Sequence, residues 1–389
     1  MKPTRRQLLA SLPLLPVVAR AAVAGGSDEA DLAFLERVGL SPGDLYGEGL
    51  DGRLSYDLSR VVGEGLVTPN DSFYIRTREP AAVAARATLD DWQVRVVPGG
   101  DASGHQVDFA SPTDFSIAAL RQRSRPMGSH VLECSGNTSR TRFGLLSMAE
   151  WSGVPLQELF AESLWNLHSS TLIEIRGNDD HAKASRSSIQ GASWIFTAGA
   201  LRDAGAFLAT GMNGETLPRD HGAPVRLIVP NWYGCACIKW VEEITVVPFN
   251  APATSQMREF ASRTHQDGRP ELASDYIPAV MDFTAMPILV EGPDEQHRFT
   301  VHGIAWGDPT GVSELEISYA ERTADPDARR WMRVQNFAAQ KTSEWALWSH
   351  RLPRPSKSLE LEIRLRTPAE GVRTRRLDSG FYARRVRLG

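Results

Sequence analysis

Short segments in which hydrophobic and polar residues alternate recur along the chain, separated by Gly, Pro, Asn and Asp, and this pattern is typical of strands joined by turns. In the first 250 residues the predicted strands are 72–78, 91–97, 129–134, 172–176, 225–229 and 239–247. Helical spacing is rarer, and predicts helices at 28–38 and 115–121 and a third that ends at residue 160. The first part of the chain is therefore expected to mix strands with short helices.

The sequence changes in character between residues 248 and 290, where five prolines punctuate a stretch with little periodicity. Such a stretch is typical of a crossing between domains. Beyond it, alternating segments predict strands at 299–304, 314–319, 331–335 and 359–366. Their spacing predicts an immunoglobulin-like β-sandwich at 250–389, after a first domain at 25–249.

The first 24 residues have the features of an export signal. Arg5 and Arg6 precede a short apolar run, and Ala22-Val23-Ala24 fits a cleavage site. The arginine pair followed by Gln-Leu-Leu resembles a twin-arginine signal, so 1–24 is predicted to direct export to the periplasm. An ordinary secretory leader is the alternative. After residue 24 no apolar run is long enough to cross a bilayer, so no membrane span is expected in the mature chain.

Composition narrows the classes of function. The chain has 389 residues and a net charge of −4, and loss of the basic leader makes it more negative. Nucleic acid is not expected as a partner, because phosphate binding needs clustered Lys and Arg. Three cysteines exclude a disulfide scaffold and a Cys-rich zinc protein. No Cys-x-x-Cys-His motif occurs, so no covalent haem is expected on this chain.

Cys134 is the leading candidate for chemistry, because it ends a predicted strand and opens a polar loop with Gly136 and Asn137. A thiol at that position is presented at the end of a sheet, where folds commonly hold ligands. Packing is the better explanation for Cys235 and Cys237, since no second pair completes a zinc site.

Four charged residues stand beside turns and would form a cage for an anionic cofactor if the fold brings them together. They are Arg76, His221, Arg226 and Lys239. Taken one at a time, each is explained equally well as a solvated surface group. No GxGxxG follows a predicted strand and no GxxxxGK[ST] occurs, so dinucleotide and P-loop sites have no support.

Four motifs in a fixed order resemble the sulfite oxidase family of molybdenum enzymes. The longest, MNGETLPRDHGAPVRLIVPNWYGCACIKW at 212–240, is similar to the family's MNG-x-x-LPRDHG-x-PVR block and the KW that follows it. The others are TPNDSFYIR at 68–76, LECSGN at 132–137 and GASWIF at 191–196. The resemblance covers most of the mature chain. It implies an α+β fold class, with a mixed molybdopterin-binding domain followed by an immunoglobulin-like dimerisation domain.

The resemblance also implies a cofactor, one molybdenum–molybdopterin per chain. Cys134 would be the thiolate ligand of the metal, and Arg76 and Arg376 would be catalytic residues that hold the substrate oxyanion. The residues that would bind the cofactor are Tyr74, Ile75, Arg76, Thr77, Arg78, Asp179, His221, Arg226, Cys237, Ile238 and Lys239.

The sequence departs from the family pattern around the substrate pocket. Ser139 stands where well-known sulfite oxidases have a second arginine, and Thr210 replaces an active-site tyrosine. Thr77 and Arg78 replace the asparagine and histidine that follow the first arginine. An intact cofactor site with an altered substrate pocket is therefore expected, and Arg140 and Arg78 are the candidates to replace the missing arginine.

The expected function is that of a periplasmic molybdenum oxidoreductase. It would oxidise sulfite or a related sulfur oxyanion to sulfate, pass electrons to a separate c-type cytochrome and form a homodimer. One alternative is a molybdenum-dependent reductase of sulfoxides such as methionine sulfoxide, which the altered pocket favours and the terminal sandwich argues against. A second alternative is a non-catalytic exported partner subunit.

Overall fold

The computed structural model describes residues 34, 41–97, 114–160, 170–181, 183, 185, 188–321, 329–352 and 359–388. The predicted leader, and the predicted helix at 28–38 apart from Phe34, lie outside these residues. Residues 31–389 form one compact unit. In the described part of the chain, no helix is both long and apolar enough to cross a membrane.

Strands dominate the fold and the helices are short. Within the described residues, the helices are Val61–Glu64, Ala81–Ala84, Ile117–Arg123, Ala198–Asp203, Ser255–Phe260 and Arg375–Asp378. The strands, numbered along the chain, are β1 Leu45–Tyr46, β2 Arg53–Leu54, β3 Gln93–Val97, β4 Asp114–Ser116, β5 Arg125–Glu133, β6 Leu146–Pro155, β7 Leu172–Gly177, β8 Ser193–Thr197, β9 Phe207–Met212, β10 Glu215–Thr216, β11 Arg226–Ile228, β12 Val241–Val247, β13 Thr284–Glu291, β14 Phe299–Trp306, β15 Glu316–Glu321, β16 Met332–Arg333, β17 Asn336–Phe337, β18 Ala346–Leu352, β19 Leu359–Arg366 and β20 Arg384–Leu388. The mixture confirms the α+β prediction.

Two five-stranded sheets build the part of the fold that carries Cys134. One has the order β10-β9-β6-β5, with β11 also paired to β9, and the other has the order β4-β3-β12-β7-β8. The pairings in both sheets are antiparallel except that of β12 with β3. In β5 the four residues from His130 to Glu133 are buried, whereas those at its start are not. The strand therefore runs into the core and delivers Cys134 to the interior.

Two four-stranded antiparallel sheets form the C-terminal part, with the orders β13-β14-β18-β17 and β16-β15-β19-β20. Both sheets contribute side chains to one hydrophobic cluster, as Val301 of β14 and Ile363 of β19 illustrate. The alternation predicted for 359–366 is confirmed, since Leu361, Ile363 and Leu365 are buried between less buried neighbours.

Residues 72–78 form an irregular segment, so the prediction of a strand there is wrong. A turn opens the segment, with the N–H of Phe73 donating to the carbonyl of Pro69 at 2.8 Å. Ile75 makes a single bridge, to Leu54. Phe73, Tyr74 and Ile75 are buried without a strand pairing along the segment, so the hydrophobic pattern reflects packing and not a sheet.

Two further predictions are corrected. The helix expected to end at residue 160 is a single 3₁₀ turn, Leu156–Glu158, because the chain up to Pro155 belongs to β6. The supposedly irregular stretch 248–290 contains the helix Ser255–Phe260 and most of β13. Thr254 caps that helix by accepting from the N–H of Met257 at 3.2 Å, a local signal that the prolines obscured.

One hydrophobic cluster crosses the predicted boundary at residue 250. It joins the five-stranded sheets to Trp306, Trp345 and Tyr382, each at most 2% exposed. Trp345 also donates from its Nε1 to the carbonyl of Leu66 at 2.9 Å. The C-terminal sheets therefore pack against the part that holds Cys134, and the division into domains at 249 and 250 stays a prediction.

Replacing Ile363 with Ala should lower the free energy of unfolding by about 2–5 kcal/mol, because this side chain is fully buried. Arg366→Ala on the same strand is the matched control. Its ion pair with Glu316, at 2.6 Å, is partly exposed and should be worth at most about 1 kcal/mol. Urea unfolding followed by tryptophan fluorescence measures both variants. Equal losses would contradict the placement of Ile363 in the shared core.

Candidate active site

A cleft lies where the end of β5, the irregular segment after Pro69 and the chain on either side of β11 meet. It encloses ≈ 840 Å³, its open mouth included. Its lining contains Phe73, Tyr74, Arg76, Thr77, Cys134, Asp179, Ser188, Ile189, Ala192, Asp220, His221, Arg226, Gly234, Cys235, Cys237, Ile238, Lys239, Trp240, Gln256 and Phe260. The fold therefore brings most of the sequence-predicted site residues to one place.

Cys134 is held rigidly at the inner end of this cleft and is 4% exposed. Its N–H donates to the carbonyl of Leu145 at 2.9 Å, and its Sγ accepts from the N–H of Gly136 at 3.4 Å. The side chain of Asn137 closes the loop, donating to the carbonyl of Phe143 at 2.8 Å and accepting from the N–H of Leu145 at 3.1 Å. A thiol fixed in this way is preorganised to bind a metal.

The other two cysteines are buried and unpaired. Burial raises the pKa of Cys235 to about 12 and also raises the pKa of Cys237. The Sγ of Cys237 accepts from the N–H of Val229 at 3.4 Å. Both remain protonated thiols, which agrees with the packing interpretation, although both also touch the cleft.

The opposite wall of the cleft is basic. Arg226 is 5% exposed, and its guanidinium donates to the carbonyl of His221 at 2.9 Å and to that of Cys237 at 3.2 Å. Burial lowers the pKa of His221 to about 4, and its Nε2 lies 2.8 Å from the carbonyl of Asn70. His221 is therefore neutral at pH 7, and Arg226 supplies the fixed charge of this wall.

Lys239 adds a charge that depends on pH. Burial, and then the nearby charge of Arg226, lower the pKa of Lys239 to about 7. Its Nζ donates to the carbonyls of Thr77 and Asp220, the latter at 2.9 Å, and lies 4.3 Å from the centre of a Trp240 ring. An anion in the cleft would restore the full charge of Lys239.

Two glycines allow these side chains to converge. A Cβ on Gly222, whose φ is +110°, would lie 3.0 Å from the Cβ of Lys239 and 3.1 Å from that of Arg226. A Cβ on Gly234 would lie 2.5 Å from the phenolic oxygen of Tyr74. Larger residues at either position would force the walls of the cleft apart.

The segment after Pro69 contributes several side chains to the cleft. Tyr74, Arg76 and Thr77 face it, whereas Ile75 and Arg78 are not among its lining residues. Arg76 donates to the hydroxyl of Ser188 at 2.6 Å, and burial lowers its pKa. Ile75 pairs with β2, and Arg78 donates to Asp220 at 3.0 Å. The sequence prediction placed all five residues on the cofactor, and the structure brings three of them to the cleft.

Asp179 is the one acidic residue predicted for the site, and its carboxylate pairs with Nδ1 of His181. Burial opposes the charge on His181, yet the hydrogen bonds to Asp179 and to the carbonyl of Arg78 raise its pKa. This pair ties the turn after β7 to the irregular segment and closes one end of the cleft.

Arg376 lies behind the Cys134 loop and does not line the cleft. It donates to the carbonyls of Ser135 and Arg263 at 2.9 and 3.0 Å and contacts a Glu133 carboxylate oxygen at 3.4 Å. Its guanidinium thus holds the residues on both sides of Cys134. The guanidinium is thus engaged by the backbone and by Glu133, and the contact with substrate predicted for Arg376 stays a prediction.

Glu133 was missed by the sequence analysis. It is 1% exposed and accepts from Nε1 of Trp306 at 3.0 Å and from the hydroxyl of Tyr382. Burial raises the pKa of Tyr382, so the phenol stays a neutral donor. The partners lie 173 and 249 residues away along the chain, so no local pattern could reveal them. We call Glu133, Arg376, Tyr382 and Trp306 the carboxylate clamp.

Of the positions that depart from the family pattern, Ser139 and Thr210 are not among the lining residues of the cleft, whereas Thr77 is. Ser139 and Arg140 are exposed on a 3₁₀ turn. Thr210 donates from its hydroxyl to that of Ser124 at 3.0 Å on β9. Neither Arg140 nor Arg78 therefore occupies the place of the missing arginine.

The residues of the cleft fit a metal that is held mainly by an anionic organic group. Nε of Arg226 is buried and has no hydrogen-bond partner among the described residues, so the basic wall retains a donor for a ligand. In the same residues, no group of three or more His, Cys, Asp or Glu side chains is arranged to hold a metal. A single thiolate with a basic wall opposite is the donor set that remains.

The chain is similar to known molybdopterin-binding oxidoreductases. A family model described as the oxidoreductase molybdopterin binding domain matches residues 81–255. Mitochondrial sulfite oxidase of Homo sapiens is 26% identical over 317 residues, covering 78% of this chain and 56% of that protein. The chain thus spans about half the length of this relative. An NADPH nitrate reductase of Mycosarcoma maydis is 26% identical over 216 residues, covering 49% of this chain and 21% of that protein.

Among solved structures, the sulfane dehydrogenase SoxCD from Paracoccus pantotrophus matches with a TM-score of 0.58 at 17% identity. The match covers 91% of this chain and 87% of that chain. It shows that the two share a fold.

Replacing Glu133 with Gln should lower the free energy of unfolding by about 3–5 kcal/mol, because Arg376 is left as a buried cation without its carboxylate. The double variant with Arg376→Gln should recover part of this loss. Glu158→Gln, which removes an exposed partner of Arg125, is the control and should leave the free energy of unfolding nearly unchanged. Chemical unfolding measures all three. A loss for Glu133→Gln no larger than the control's would contradict the clamp.

Protein prepared without the cofactor should bind sulfate more weakly as the pH rises through about 7. Lys239 loses its proton there, whereas sulfate keeps its charge. Lys239→Arg keeps the charge throughout and should flatten the profile. Isothermal titration calorimetry at constant ionic strength measures both proteins. The same fall in the variant would assign the pH dependence to another group.

Proposed function

Because the chain matches the oxidoreductase molybdopterin binding domain and is similar to sulfite oxidases, we propose that it is a molybdopterin-dependent oxidoreductase that oxidises sulfite, or a closely related sulfur oxyanion, with electrons passed to a c-type cytochrome. The observation that carries the proposal is the buried Cys134 thiol, which faces the same cleft as the basic wall of Arg226 and Lys239. A redox metal held by sulfur and an anionic pterin needs both features.

Different residues of the cleft would bind different parts of the cofactor. Molybdopterin, when bound, supplies a metal that exchanges an oxygen atom and two electrons with a substrate. Cys134 would ligate the metal as a thiolate, since metal binding removes the thiol proton. Arg226 and Lys239 would hold the phosphate of the pterin, and the neutral His221 would pack against it. Tyr74 would form the wall on the side of the irregular segment.

The overall reaction is balanced by water and an electron acceptor. Sulfite takes one oxygen atom that comes from water, and two electrons and two protons are released as sulfate forms. Arg76 would orient the substrate through charge-assisted hydrogen bonds, each worth roughly 1.5–3 kcal/mol. The acceptor is proposed to be a c-type cytochrome, which takes the electrons one at a time.

The location of the enzyme and its association into dimers are also proposals. The Arg5-Arg6 motif supports export of the folded, cofactor-loaded chain to the periplasm. The shared core of the two C-terminal sheets supports an immunoglobulin-like sandwich, which would join two chains in a homodimer. Export with a bound cofactor explains why the leader resembles the twin-arginine type.

A sulfoxide reductase is the second candidate. Ser139, which replaces a family arginine, is exposed on its turn and supplies no charge to the cleft. A cleft with fewer cations suits a neutral substrate such as methionine sulfoxide better than a dianion. This alternative runs the reaction in the opposite direction, with two electrons and two protons taken up and the sulfoxide oxygen released as water.

Protein produced with its leader in a host that makes molybdopterin should contain molybdenum in proportion to the chain and reduce cytochrome c when sulfite is added. Methionine sulfoxide with a reduced viologen dye is the parallel assay. Sulfoxide turnover without sulfite turnover would favour the reductase. Folded protein without molybdenum would contradict both enzymes and favour the non-catalytic exported subunit.

Cys134→Ser should abolish sulfite-dependent reduction of cytochrome c while leaving the far-ultraviolet circular dichroism unchanged, because only the metal ligand is altered. Cys235→Ser is the matched control. That thiol is equally buried but stays protonated, so its loss should leave most of the activity. Activity retained in Cys134→Ser would contradict the ligand assignment.

A further inference from the structure

Besides Arg76, a second arginine, Arg263, lies near Cys134. Arg263 ends the 3₁₀ turn Ala261–Arg263, after the helix Ser255–Phe260. Its Nη1 is 3.4 Å from the place that a Cβ on Gly136 would occupy, and the same place is 3.7 Å from the Sγ of Cys134. The charge of Arg263 therefore lies next to the thiol, over the turn of the cysteine loop.

Neighbouring residues hold Arg263 in place, but its positive charge is only weakly compensated. Its guanidinium carbon lies 5.4 Å from the centre of the Phe260 ring, and Phe260 lines the cleft. Its backbone carbonyl accepts from Arg376 of the carboxylate clamp at 3.0 Å. Its ion pair with Glu259 is long, at 3.9 Å, and the Arg263 side chain is 42% exposed. A partly exposed pair of this length contributes little.

Arg263 and Arg76 are close enough to repel each other. Burial is the main reason that the pKa of Arg76 is lowered, and the charge of Arg263 adds to the effect. Two cations on one side of a cleft are unfavourable unless they share an anion. Glu259 offsets part of the repulsion, which leaves a net positive region beside the thiol.

The other arginines near the cysteine loop do not offer this arrangement. Arg140 is exposed on the outer turn of the loop, and Arg78 is paired with Asp220. Arg376 is held by the clamp behind the loop. Arg263 is not itself a lining residue, but among these arginines it is the one that combines closeness to Cys134 and contact with the cleft-lining Phe260 with a partly exposed guanidinium.

We propose that Arg263 is a substrate-binding residue that, together with Arg76, holds a doubly charged sulfur oxyanion above Cys134. The inference rests on the proposed function and assigns the contact that Ser139 lacks. Substrate recognition would then use a residue from beyond position 250, so the specificity of the cleft would depend on how the two parts of the chain pack. It also favours a dianion over a neutral sulfoxide as the substrate.

The test uses molybdenum-loaded protein and two readouts, the dissociation constant of sulfate by isothermal titration calorimetry and the steady-state constants for sulfite. Arg263→Gln should weaken sulfate binding about 10- to 100-fold and raise KM by a similar factor. The value of kcat should change far less, because the variant loses binding and keeps the metal site. Arg263→Lys should recover part of the affinity through its charge.

Arg258→Gln is the matched control, since Arg258 is exposed on the neighbouring helix and should leave sulfate binding unchanged. Unaltered sulfate binding in Arg263→Gln would overturn the inference and leave the proposed function standing. If sulfate binding depends on Arg263 but sulfite is not turned over, the inferred oxyanion site would stand and the proposed function would be contradicted. Wild-type protein that binds no sulfate would overturn the inference directly.

Discussion

The carboxylate of Glu133 is buried one residue before Cys134, the proposed ligand of the metal. A buried carboxylate is tolerated only when its charge is compensated and its oxygens are hydrogen bonded. Arg376, Tyr382 and Trp306 meet both requirements, and all three come from the C-terminal part of the chain. The position of Cys134 is therefore fixed by residues that lie far from it in the sequence, and the two parts of the fold cannot be treated as independent.

Cys134 lies at the rigid inner end of the cleft, and the basic wall contains one residue, Lys239, whose protonation can change near neutral pH. Arg226 supplies a permanent cation with an unused donor, and burial keeps His221 neutral. Lys239 sits near its midpoint at neutral pH, so an arriving anion can draw it into the charged form. Gly222 favours the close approach of Arg226 and Lys239, because an added Cβ there would press against the Cβ atoms of both side chains. Such a site accepts an anionic cofactor without carrying the full cost of several buried charges in its absence.

Local sequence information was sufficient for the residues that share a motif. Cys134, His221, Arg226 and Lys239 were recognisable from their places after strands and turns, and the structure brings them together. It was insufficient for Arg376 and Glu133, whose contact spans 243 residues and whose charges look like surface groups in isolation. Arg263 was missed for a different reason, because the prolines around it suggested an irregular crossing and hid the helix that positions it.

The proposed role of the cleft depends most on Cys134 as the protein ligand of molybdenum. Molybdenum X-ray absorption spectroscopy of the loaded wild type and of Cys134→Ser tests this assignment at the metal itself. We expect the variant to lose a sulfur neighbour from the metal shell and to gain an oxygen neighbour, while the sulfur ligands contributed by the pterin remain. An unchanged sulfur shell in a variant that still binds molybdenum would show that the metal is held elsewhere, and the cleft would lose its proposed role.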